Sequence, residues 1–284
     1  MTNWFITGIS RGLGRAVATA ALARGDTVVG TARSASFPLD HEFGTLHVLT
    51  ADLGVQGVAE ACVMKAFEFA GTIDVIVNNA GFGLLGAVEN ATDQEVQGLF
   101  AVDFFAPLRI IQAALPQLRK QGSGHIINIT SIAGRAPTTG TAIYSAAKSA
   151  LEGLSMGLAM EVAPLGIKVT AVAPGAFRTE FLSPSSIMRS SDAEAAYAET
   201  IGRSAVAFTT ADRHQVGDPE LAAKAIIALV DDDNPPLHLL LGSDALARAR
   251  AKLERVIEEI DAWEPVTCST DYKEESGASN NGGD

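Results

Sequence analysis

The sequence predicts an α/β protein: one domain in which a doubly wound parallel sheet lies between two layers of helices. Short apolar runs alternate with helical stretches from the N-terminus to about residue 262, which is typical of strands joined by crossover helices. No linker rich in Pro, Gly or Ser divides the 284 residues, and a hydrophobic content of 47% is enough for one large core. We therefore expect a single three-layer domain.

The first 31 residues predict a strand, a glycine-rich turn, a helix and a second strand. The apolar run 4–6 leads into a turn with glycines at Gly8, Gly12 and Gly14, and an alanine-rich helix follows as far as Gly25. Glycines between a strand and a helix let the backbone approach a pyrophosphate, which then lies at the positive helix N-terminus. The pattern favours a dinucleotide site, and a tight turn without a ligand is the alternative.

The second predicted strand covers 27–31, and the residues at its end indicate which dinucleotide would bind. An NAD site usually has Asp or Glu there to accept the ribose 2′-hydroxyl, but this sequence has Thr-Ala-Arg-Ser at 31–34. Arg33, and Arg11 within the glycine turn, offer the forked donors that suit a 2′-phosphate. We therefore predict NADP(H), the alternative being that both arginines are incidental surface charges.

The remaining elements continue the alternation of strands and helices. A helix at 92–121 is expected to be interrupted near Pro107 and Pro116, because proline removes a backbone donor. From residue 263 to 284 the composition is polar and acidic, which predicts a disordered tail. The further predicted strands are 46–49, 73–77, 125–129, 167–172 and 237–241, and the further helices are 54–70, 141–164, 218–230 and 244–262.

Charge and composition exclude several classes of partner. A formal net charge of −12 argues against nucleic acid and anionic membranes. No basic and apolar signal segment follows Met1, and the apolar runs are of strand length or are broken by Gly and charge, so we expect no transmembrane helix. The two cysteines predict a reducing, cytoplasmic setting, and the five histidines lack metal-ligand spacing, which predicts no metal and histidines at the surface or in loops.

Tyr144 and Lys148 form the most informative pair in the sequence. Residues four apart on a helix point from the same face, and a nearby ammonium makes a phenol easier to ionise. Such a phenol can give or take a proton near neutral pH, as carbonyl–alcohol chemistry requires. The spacing alone is weak evidence for a catalytic site, since the same two residues can lie on a solvated helix face.

Other motifs accompany that pair. They are the glycine turn, Asn-Asn-Ala-Gly at 78–81, Ser131, and Pro174-Gly175 after a strand. With these motifs the chain resembles the short-chain dehydrogenase/reductase family from Asn3 to about Asp244. The resemblance implies a Rossmann-type fold, with residues 1–262 as the dinucleotide-binding catalytic domain.

The resemblance also implies hydride transfer between NADP(H) and a carbonyl or secondary alcohol of a small molecule. Tyr144 would be the acid in reduction, and Lys148 would lower its pKa and hold the ribose hydroxyls. Ser131, thirteen residues before the tyrosine, would hydrogen-bond the substrate oxygen; a serine that caps a strand end is the alternative.

Cofactor contacts carry over from the family to matching positions. Asp52 and Leu53 would border the adenine, although Asp52 as the N-cap of the following helix is compatible with the same sequence. Asn79 would brace the sheet, and Gly81 would leave room for the cofactor. The residues expected at the cofactor are Gly8, Ser10, Arg11, Gly12, Leu13, Gly14, Arg33, Asp52, Leu53, Asn79, Ala80, Gly81, Tyr144, Lys148, Pro174, Gly175 and Thr179.

One stretch departs from the family pattern. In Phe-Ala-Val-Asp-Phe-Phe-Ala-Pro, Asp103 and Ala106 stand where the family usually has an asparagine and, three residues later, a glycine. That asparagine normally helps to hold a water behind the lysine. Asp103 therefore becomes a candidate site residue that would act on Lys148 and Tyr144 through its charge.

The stretch 180–216 shows no clear strand and only a weak helical pattern. A loop of this length inside a domain is usually functional, so we expect a substrate lid with an apolar inner surface, the alternative being a disordered insertion. Small residues along helix 141–164 predict close packing across a subunit contact, hence a homodimer or homotetramer.

Two other functions are compatible with the fold. A non-catalytic NADP(H) sensor could use the same architecture, although it would not need Ser131, Tyr144 and Lys148 together. A dehydratase or epimerase of the extended branch of the family is the other alternative, but the short chain and the glycine turn favour the classical group. The apolar lid favours a hydrophobic substrate.

Overall fold

The computed structural model describes residues 1–34, 37, 39, 42–183, 186–190 and 195–272. Within these ranges a seven-stranded parallel sheet has the order β3-β2-β1-β4-β6-β7-β9, and β5 pairs with β8 in a separate two-stranded sheet. The strands are β1 (Asn3–Thr7), β2 (Thr27–Ala32), β3 (Thr45–Thr50), β4 (Val75–Asn78), β5 (Gly83–Leu85), β6 (Gly124–Ile129), β7 (Ile167–Pro174), β8 (Ile187–Arg189) and β9 (His238–Leu241).

Helices connect these strands and cover both faces of the large sheet. A π-helical turn, Ala101–Phe105, joins the third helix to the fourth. The helices are α1 (Gly12–Ala23), α2 (Val58–Ala70), α3 (Asp93–Phe100), α4 (Ala106–Gln121), α5 (Ile132–Arg135), α6 (Ala142–Val162), α7 (Arg203–Ala211), α8 (Pro219–Val230) and α9 (Ser243–Cys268).

Two hydrophobic clusters lie on opposite faces of the sheet. Successive side chains of a strand point to opposite faces, and in β1 Phe5 packs with α2, α4 and α6 while Trp4 and Ile6 pack with α1 and α8. All three side chains are fully buried. The predicted three-layer, doubly wound α/β fold is confirmed.

The strand order determines where a ligand can bind. From β1 the chain moves outward through β2 and β3, then returns to place β4 on the other side of β1. In open α/β sheets the crevice lies outside the carboxyl ends of the strands at this reversal. The ends of β1, β4, β6 and β7, and the turns that follow them, therefore meet at one edge of the sheet.

The predicted interruption of helix 92–121 occurs near Pro107, where the π-helical turn Ala101–Phe105 separates α3 from α4, but the predicted interruption at Pro116 is wrong. Pro107 lies in the first turn of α4, where proline is tolerated. Pro116 lies inside α4, which continues because Ile111, Ala114 and Leu118 are buried in the core around it. Residues 93–121 are, by length and composition, apolar enough to cross a membrane, but in this fold they form a helix packed on the sheet.

Two helix boundaries also differ from the predictions. The helix expected from residue 54 begins at Val58, because Gly57 has a φ of 81° that cannot continue a helix. Asp52 therefore does not cap it; its Oδ1 accepts a hydrogen bond from the Gly54 backbone N–H at 3.0 Å. The last helix extends to Cys268 rather than ending at 262, so 263–268 are helical and not a disordered tail; residues 273–284 lie outside the described ranges.

The stretch 180–216 contains more regular structure than predicted. It includes β8, which pairs with β5, and helix α7. A short 3-10 helix, Glu180–Leu182, opens it. Contacts distant in sequence stabilise these short elements: Ser204 donates to the Thr139 carbonyl at 2.6 Å, and Ser190 donates to the Leu85 carbonyl. The local sequence pattern carries no sign of these contacts.

Candidate active site

One cavity of about 710 Å³ opens at the carboxyl ends of the strands. It extends from the glycine turn and the end of β2 to the start of α6, and one side is formed by 180–216. Gly14 and Asp103 are not part of its lining. The predicted residues that line it are Gly8, Ser10, Arg11, Gly12, Leu13, Arg33, Asp52, Leu53, Asn79, Ala80, Gly81, Ser131, Tyr144, Lys148, Pro174, Gly175 and Thr179.

The glycine turn forms a concave backbone surface at the N-terminus of α1. Gly8 and Gly12 have positive φ values of 74° and 59°, a conformation that side chains disfavour. A Cβ on Gly14 would lie 2.2 Å from Asn79 Nδ2 and 2.4 Å from the Gly8 carbonyl oxygen. The turn can therefore approach a neighbouring group closely, and the backbone N–H groups at the helix N-terminus suit a pyrophosphate.

Asn79 holds this turn against the sheet. Its side-chain amide donates to the Thr7 carbonyl at 2.8 Å and to the Gly8 carbonyl at 3.3 Å. The Thr7 hydroxyl oxygen in turn accepts hydrogen bonds from the backbone N–H groups of Asn79 and Ala80. These contacts join the end of β1 to the end of β4, so Asn79 lies where a bracing role requires.

Two guanidinium groups lie at the end of the cavity near β2. Arg33 follows β2 and is exposed, and Arg11 lies in the glycine turn. Asp52 and Leu53, which follow β3, line the same region. A concave backbone surface with two arginines beside it fits a dinucleotide carrying an additional phosphate.

Tyr144, Lys148 and Ser131 converge at the other end. Tyr144 and Lys148 lie in the first two turns of α6 and are both buried, and the lysine Nζ is 5.9 Å from the centre of the tyrosine ring. Ser131 lies close enough to Tyr144 to lower the pKa of its phenol. It is also the N-cap of α5, where its Oγ accepts from the Ala133 N–H at 3.1 Å. The structure thus brings together two hydroxyls and an ammonium at the cavity wall.

Asp103 lies directly behind Lys148 in the π-helical turn. Its Oδ2 is 3.1 Å from Lys148 Nζ, and its Oδ1 accepts a hydrogen bond from the Phe82 N–H at 3.1 Å. Lys148 Nζ also donates to the Ile129 carbonyl at 3.1 Å. A Cβ on Gly81 would lie 2.8 Å from Asp103 Oδ2 and 3.3 Å from Lys148 Nζ, so Gly81 also makes space for this ion pair.

Burial and charge act in opposite directions on the three titratable groups. Burial raises the pKa of Tyr144; Lys148 opposes this shift, Asp103 adds to it, and the tyrosine pKa remains above its ordinary value. Burial lowers the pKa of Lys148, but the charges of Asp103 and Tyr144 outweigh it and raise that pKa overall. Burial also raises the pKa of Asp103, despite Lys148. Lys148 is therefore positively charged at neutral pH and Tyr144 holds its proton.

A second polar cluster beside the site is absent from the predictions. Glu152, one turn after Lys148 on α6, is buried. Its carboxylate accepts a short hydrogen bond from the Thr130 hydroxyl and forms an ion pair with Arg135, whose Nε lies 3.0 Å away. Thr130 precedes Ser131, and Arg135 ends α5. The cluster thus connects the turn that contains Ser131 to α6. The one sign of it in the sequence is a charged residue, Glu152, among the buried positions of that helix.

Residues outside the predicted catalytic set also line the cavity, among them aromatic residues of the stretch 180–216 that was expected to have an apolar inner surface. The ring of Phe181 is 5.9 Å from the Tyr144 ring, and Phe208 and Arg248 also form part of the wall. Gln215 is buried, and neither polar atom of its side chain has a hydrogen-bond partner among the described residues. Thr179 lies against Gly12 and caps the short 3-10 helix, accepting from the Phe181 N–H at 3.2 Å.

Comparison with known proteins agrees with this geometry. The short chain dehydrogenase family model matches residues 2–190. Oxidoreductase BOA17 of Botryotinia fuckeliana is 34% identical over 271 residues, covering 94% of this chain and 98% of that protein. The 3-ketodihydrosphingosine reductase of Bacteroides thetaiotaomicron is 35% identical over 237 residues, covering 84% and 86%.

Solved structures show the same fold. A short-chain dehydrogenase from Streptomyces avermitilis is 40% identical with a TM-score of 0.85, covering 95% of this chain and all of that one. Structures of the same fold that are 20–26% identical include complexes with NADPH, NAD and NADP. The chain belongs to the short-chain dehydrogenase family of oxidoreductases.

Proposed function

We propose that this protein is an NADPH-dependent carbonyl reductase acting on a hydrophobic ketone. The proposal rests on the residues that line one cavity. Tyr144, Ser131 and Lys148 lie at one end of it, and Arg11 and Arg33 lie at the other. The first group suits proton transfer to a carbonyl oxygen. The second suits the additional phosphate that distinguishes NADP from NAD.

The proposed roles follow from the hydrogen bonds and charges of the site. The nicotinamide, when bound, supplies the hydride to the carbonyl carbon. The hydroxyls of Ser131 and Tyr144 hold the carbonyl oxygen, and Tyr144 gives it the phenolic proton, so that an alcohol forms. Lys148 stabilises the phenolate left behind, which then regains a proton from solvent.

Asp103 favours the reductive direction. Its carboxylate keeps Lys148 charged and adds to the raised pKa of Tyr144. A tyrosine that keeps its proton at neutral pH is ready to act as an acid, whereas alcohol oxidation needs the phenolate. This balance supports reduction as the main direction.

The stretch 180–216 supports an apolar substrate and, in this proposal, acts as the lid. Phe181, Leu182, Ile187, Met188 and Phe208 line the cavity from this segment. The relative from Bacteroides thetaiotaomicron is named a 3-ketodihydrosphingosine reductase. We therefore assign an aliphatic or aromatic ketone as substrate, in the cytoplasm, with the protein working as a homo-oligomer.

A ketone panel tests the proposal. Purified protein is mixed with NADPH and aliphatic or aromatic ketones, and the loss of NADPH absorbance is followed. We expect turnover with at least one apolar ketone, a loss of about 10²-fold or more in kcat for Tyr144→Phe, and no change for the fully exposed control Tyr272→Phe.

The Tyr144→Phe variant should lose ketone reduction but keep NADPH binding. Tyr144→Phe should bind NADPH as tightly as the unmodified protein, because the glycine turn and arginines are untouched. Turnover that survives in Tyr144→Phe, or NADPH binding without reduction of any ketone in the panel, would contradict the proposed reaction.

A further inference from the structure

Helix α9 projects from the body of the domain. Ala245 and Ala249 near its start are buried, but from Ala251 onward every residue is exposed except Lys252 and Val256, which are partly covered. At 1.5 Å per residue the 26 residues of α9 span about 39 Å. More than half of this length lies beyond the close contact with the sheet and α5.

An apolar stripe follows the projecting part. Leu246, Leu253 and Ile260 are seven residues apart, and Ala249, Val256 and Trp263 form a second series with the same spacing. These are the a and d positions of a heptad repeat, which place apolar side chains on one face of a helix. Leu253, Ile260 and Trp263 are 62%, 62% and 64% exposed, and Ile257 beside them is 57% exposed.

Such a stripe is unusual on the free surface of a helix. Isolated helices of 12–15 residues are marginal in water, and most helices in proteins are stabilised by packing an apolar face. After Val256, every residue of the α9 stripe is exposed, so the described residues provide no packing for that part of it. A partner that covers it would stabilise the helix.

The charges of α9 are segregated along its length. Every charged residue from Arg248 to Lys252 is basic and every charged residue from Glu258 to Glu264 is acidic, so this part of the helix is complementary to itself when turned end to end. The basic residues are Arg248, Arg250, Lys252 and Arg255, and the acidic residues after Leu253 are Glu254, Glu258, Glu259, Asp261 and Glu264.

We propose that α9 pairs in antiparallel orientation with α9 of a second copy of this chain. A two-fold axis near Ile257 would bury the stripe of each helix against the other. It would place Arg250 beside Glu264 of the partner subunit and Lys252 beside Glu259 of the partner subunit. Parallel pairing would instead bring Glu259 near Glu264 of the partner subunit, and like charges there repel.

The charge pattern favours this occupant over a lipid surface. A basic amphipathic helix is the type that binds anionic membranes, whereas the exposed end of α9 is acidic and the whole chain has a net charge of −12. A second copy supplies both an apolar stripe and the opposite charge order.

The first experiment measures mass with substitutions in the stripe. The full-length protein is examined by sedimentation velocity at about 1–100 µM, alone and as Leu253→Lys/Ile260→Lys. We expect the unmodified protein to associate and the variant to have half its mass. The control Leu221→Lys, on α8 and 62% exposed, should keep the full mass, and all three should bind NADPH equally because none of these residues lines the cavity.

The second experiment tests orientation by exchanging charges. Arg250→Glu/Lys252→Glu turns both proposed antiparallel pairs into pairs of glutamates and should also halve the mass. Adding Glu259→Lys/Glu264→Lys to the same chain reverses the order of charges, restores every antiparallel pair and should restore the mass.

Any of the following results would overturn the proposal. An unmodified protein that is monomeric at 100 µM, or a stripe variant with unchanged mass, removes the self-pairing. A fourfold-exchanged chain that stays dissociated removes the antiparallel orientation. Flotation of the unmodified protein with phosphatidylcholine vesicles, lost in Leu253→Lys/Ile260→Lys without a change of mass, would assign the stripe to a membrane.

Discussion

Asp103 shows how one residue can change the electrostatics of a whole site. Its carboxylate is fully buried and lies 3.1 Å from Lys148 Nζ. Buried charges require a partner, and this one has a lysine and the backbone N–H of Phe82. The same carboxylate opposes ionisation of Tyr144, so the ion pair is linked to the proton that the proposed reaction uses.

Replacing Asp103 tests that link. Asp103→Asn keeps the shape but removes the charge, so the pKa values of Tyr144 and Lys148 should both fall. We expect ketone reduction within about tenfold of the unmodified rate and an alkaline limb of the kcat/KM profile shifted to lower pH. The control Asp93→Asn, at the exposed start of α3, should leave the profile unchanged, and an Asp103→Asn profile that superimposes on the parent would show no coupling.

Arg33 is expected to decide between the two cofactors. If it meets the 2′-phosphate, NADPH should bind about 10–100 times more tightly than NADH, since a hydrogen bond to a charged group contributes about 1.5–3 kcal/mol. Arg33→Asp should narrow or reverse that ratio, whereas Arg119→Asp on the exposed surface of α4 should not. Equal affinities of the unmodified protein, measured by fluorescence titration, would exclude the role.

At the scale of elements, β6 carries a buried titratable group. His125, predicted at the surface or in a loop, is buried; its Nε2 lies 3.0 Å from the Thr170 hydroxyl oxygen, and that hydroxyl donates to the Pro236 carbonyl. The imidazole therefore donates and is held neutral. Burial and, to a lesser degree, Lys168 lower its pKa to about 4.

This pKa predicts a loss of stability in acid. Between pH 6.5 and about 4 the unfolded chain binds a proton at His125 and the folded protein does not, so stability is complete above pH 6.5 and falls as pH decreases. The contribution of His125 is about 3 kcal/mol over this window. Urea unfolding at pH 7.5, 6 and 5 should show a smaller loss for His125→Gln; equal losses in both proteins would contradict the assignment.

The segment 180–216, which is the proposed lid, is built from short elements with little burial. Helix α7 has no buried residue, and β8 has three residues. We expect trypsin to cut first at Arg203 or Arg213 without ligands, and NADPH with a substrate to protect both sites. Arg203→Gln/Arg213→Gln should remove those fragments. Protection by neither ligand, or first cleavage outside 180–216, would contradict a lid role.

At the scale of the molecule, the two hydrophobic clusters share one sheet. Neighbouring strands of that sheet supply side chains to both faces, so neither cluster can lose its packing without exposing the other. The fold should therefore unfold as one unit.

Tryptophan fluorescence tests this cooperativity. The chain has two tryptophans, and Trp263→Phe leaves the fully buried Trp4 of β1 as the single reporter. We expect its fluorescence and the far-ultraviolet circular dichroism to give the same urea midpoint. Two separate midpoints would show that the clusters unfold independently.

The sequence by itself determined the parts of this protein that depend on local spacing. Tyr144 and Lys148 share a helix face because four residues make about one turn. The glycine turn follows from glycines between a strand and a helix. The alternation of strands and helices predicted the three layers.

Only the tertiary structure decided the contacts between distant segments. Asp103 meets Lys148, and Glu152 meets Thr130 and Arg135, because the crossovers of the sheet bring the π-helical turn, α5 and α6 to one edge. Pro116 remains within α4 because core packing outweighs weak local propensity, and the short elements of 180–216 are held by hydrogen bonds to residues distant in sequence. Such contacts depend on strand order and depth of burial, which no local pattern of residues contains.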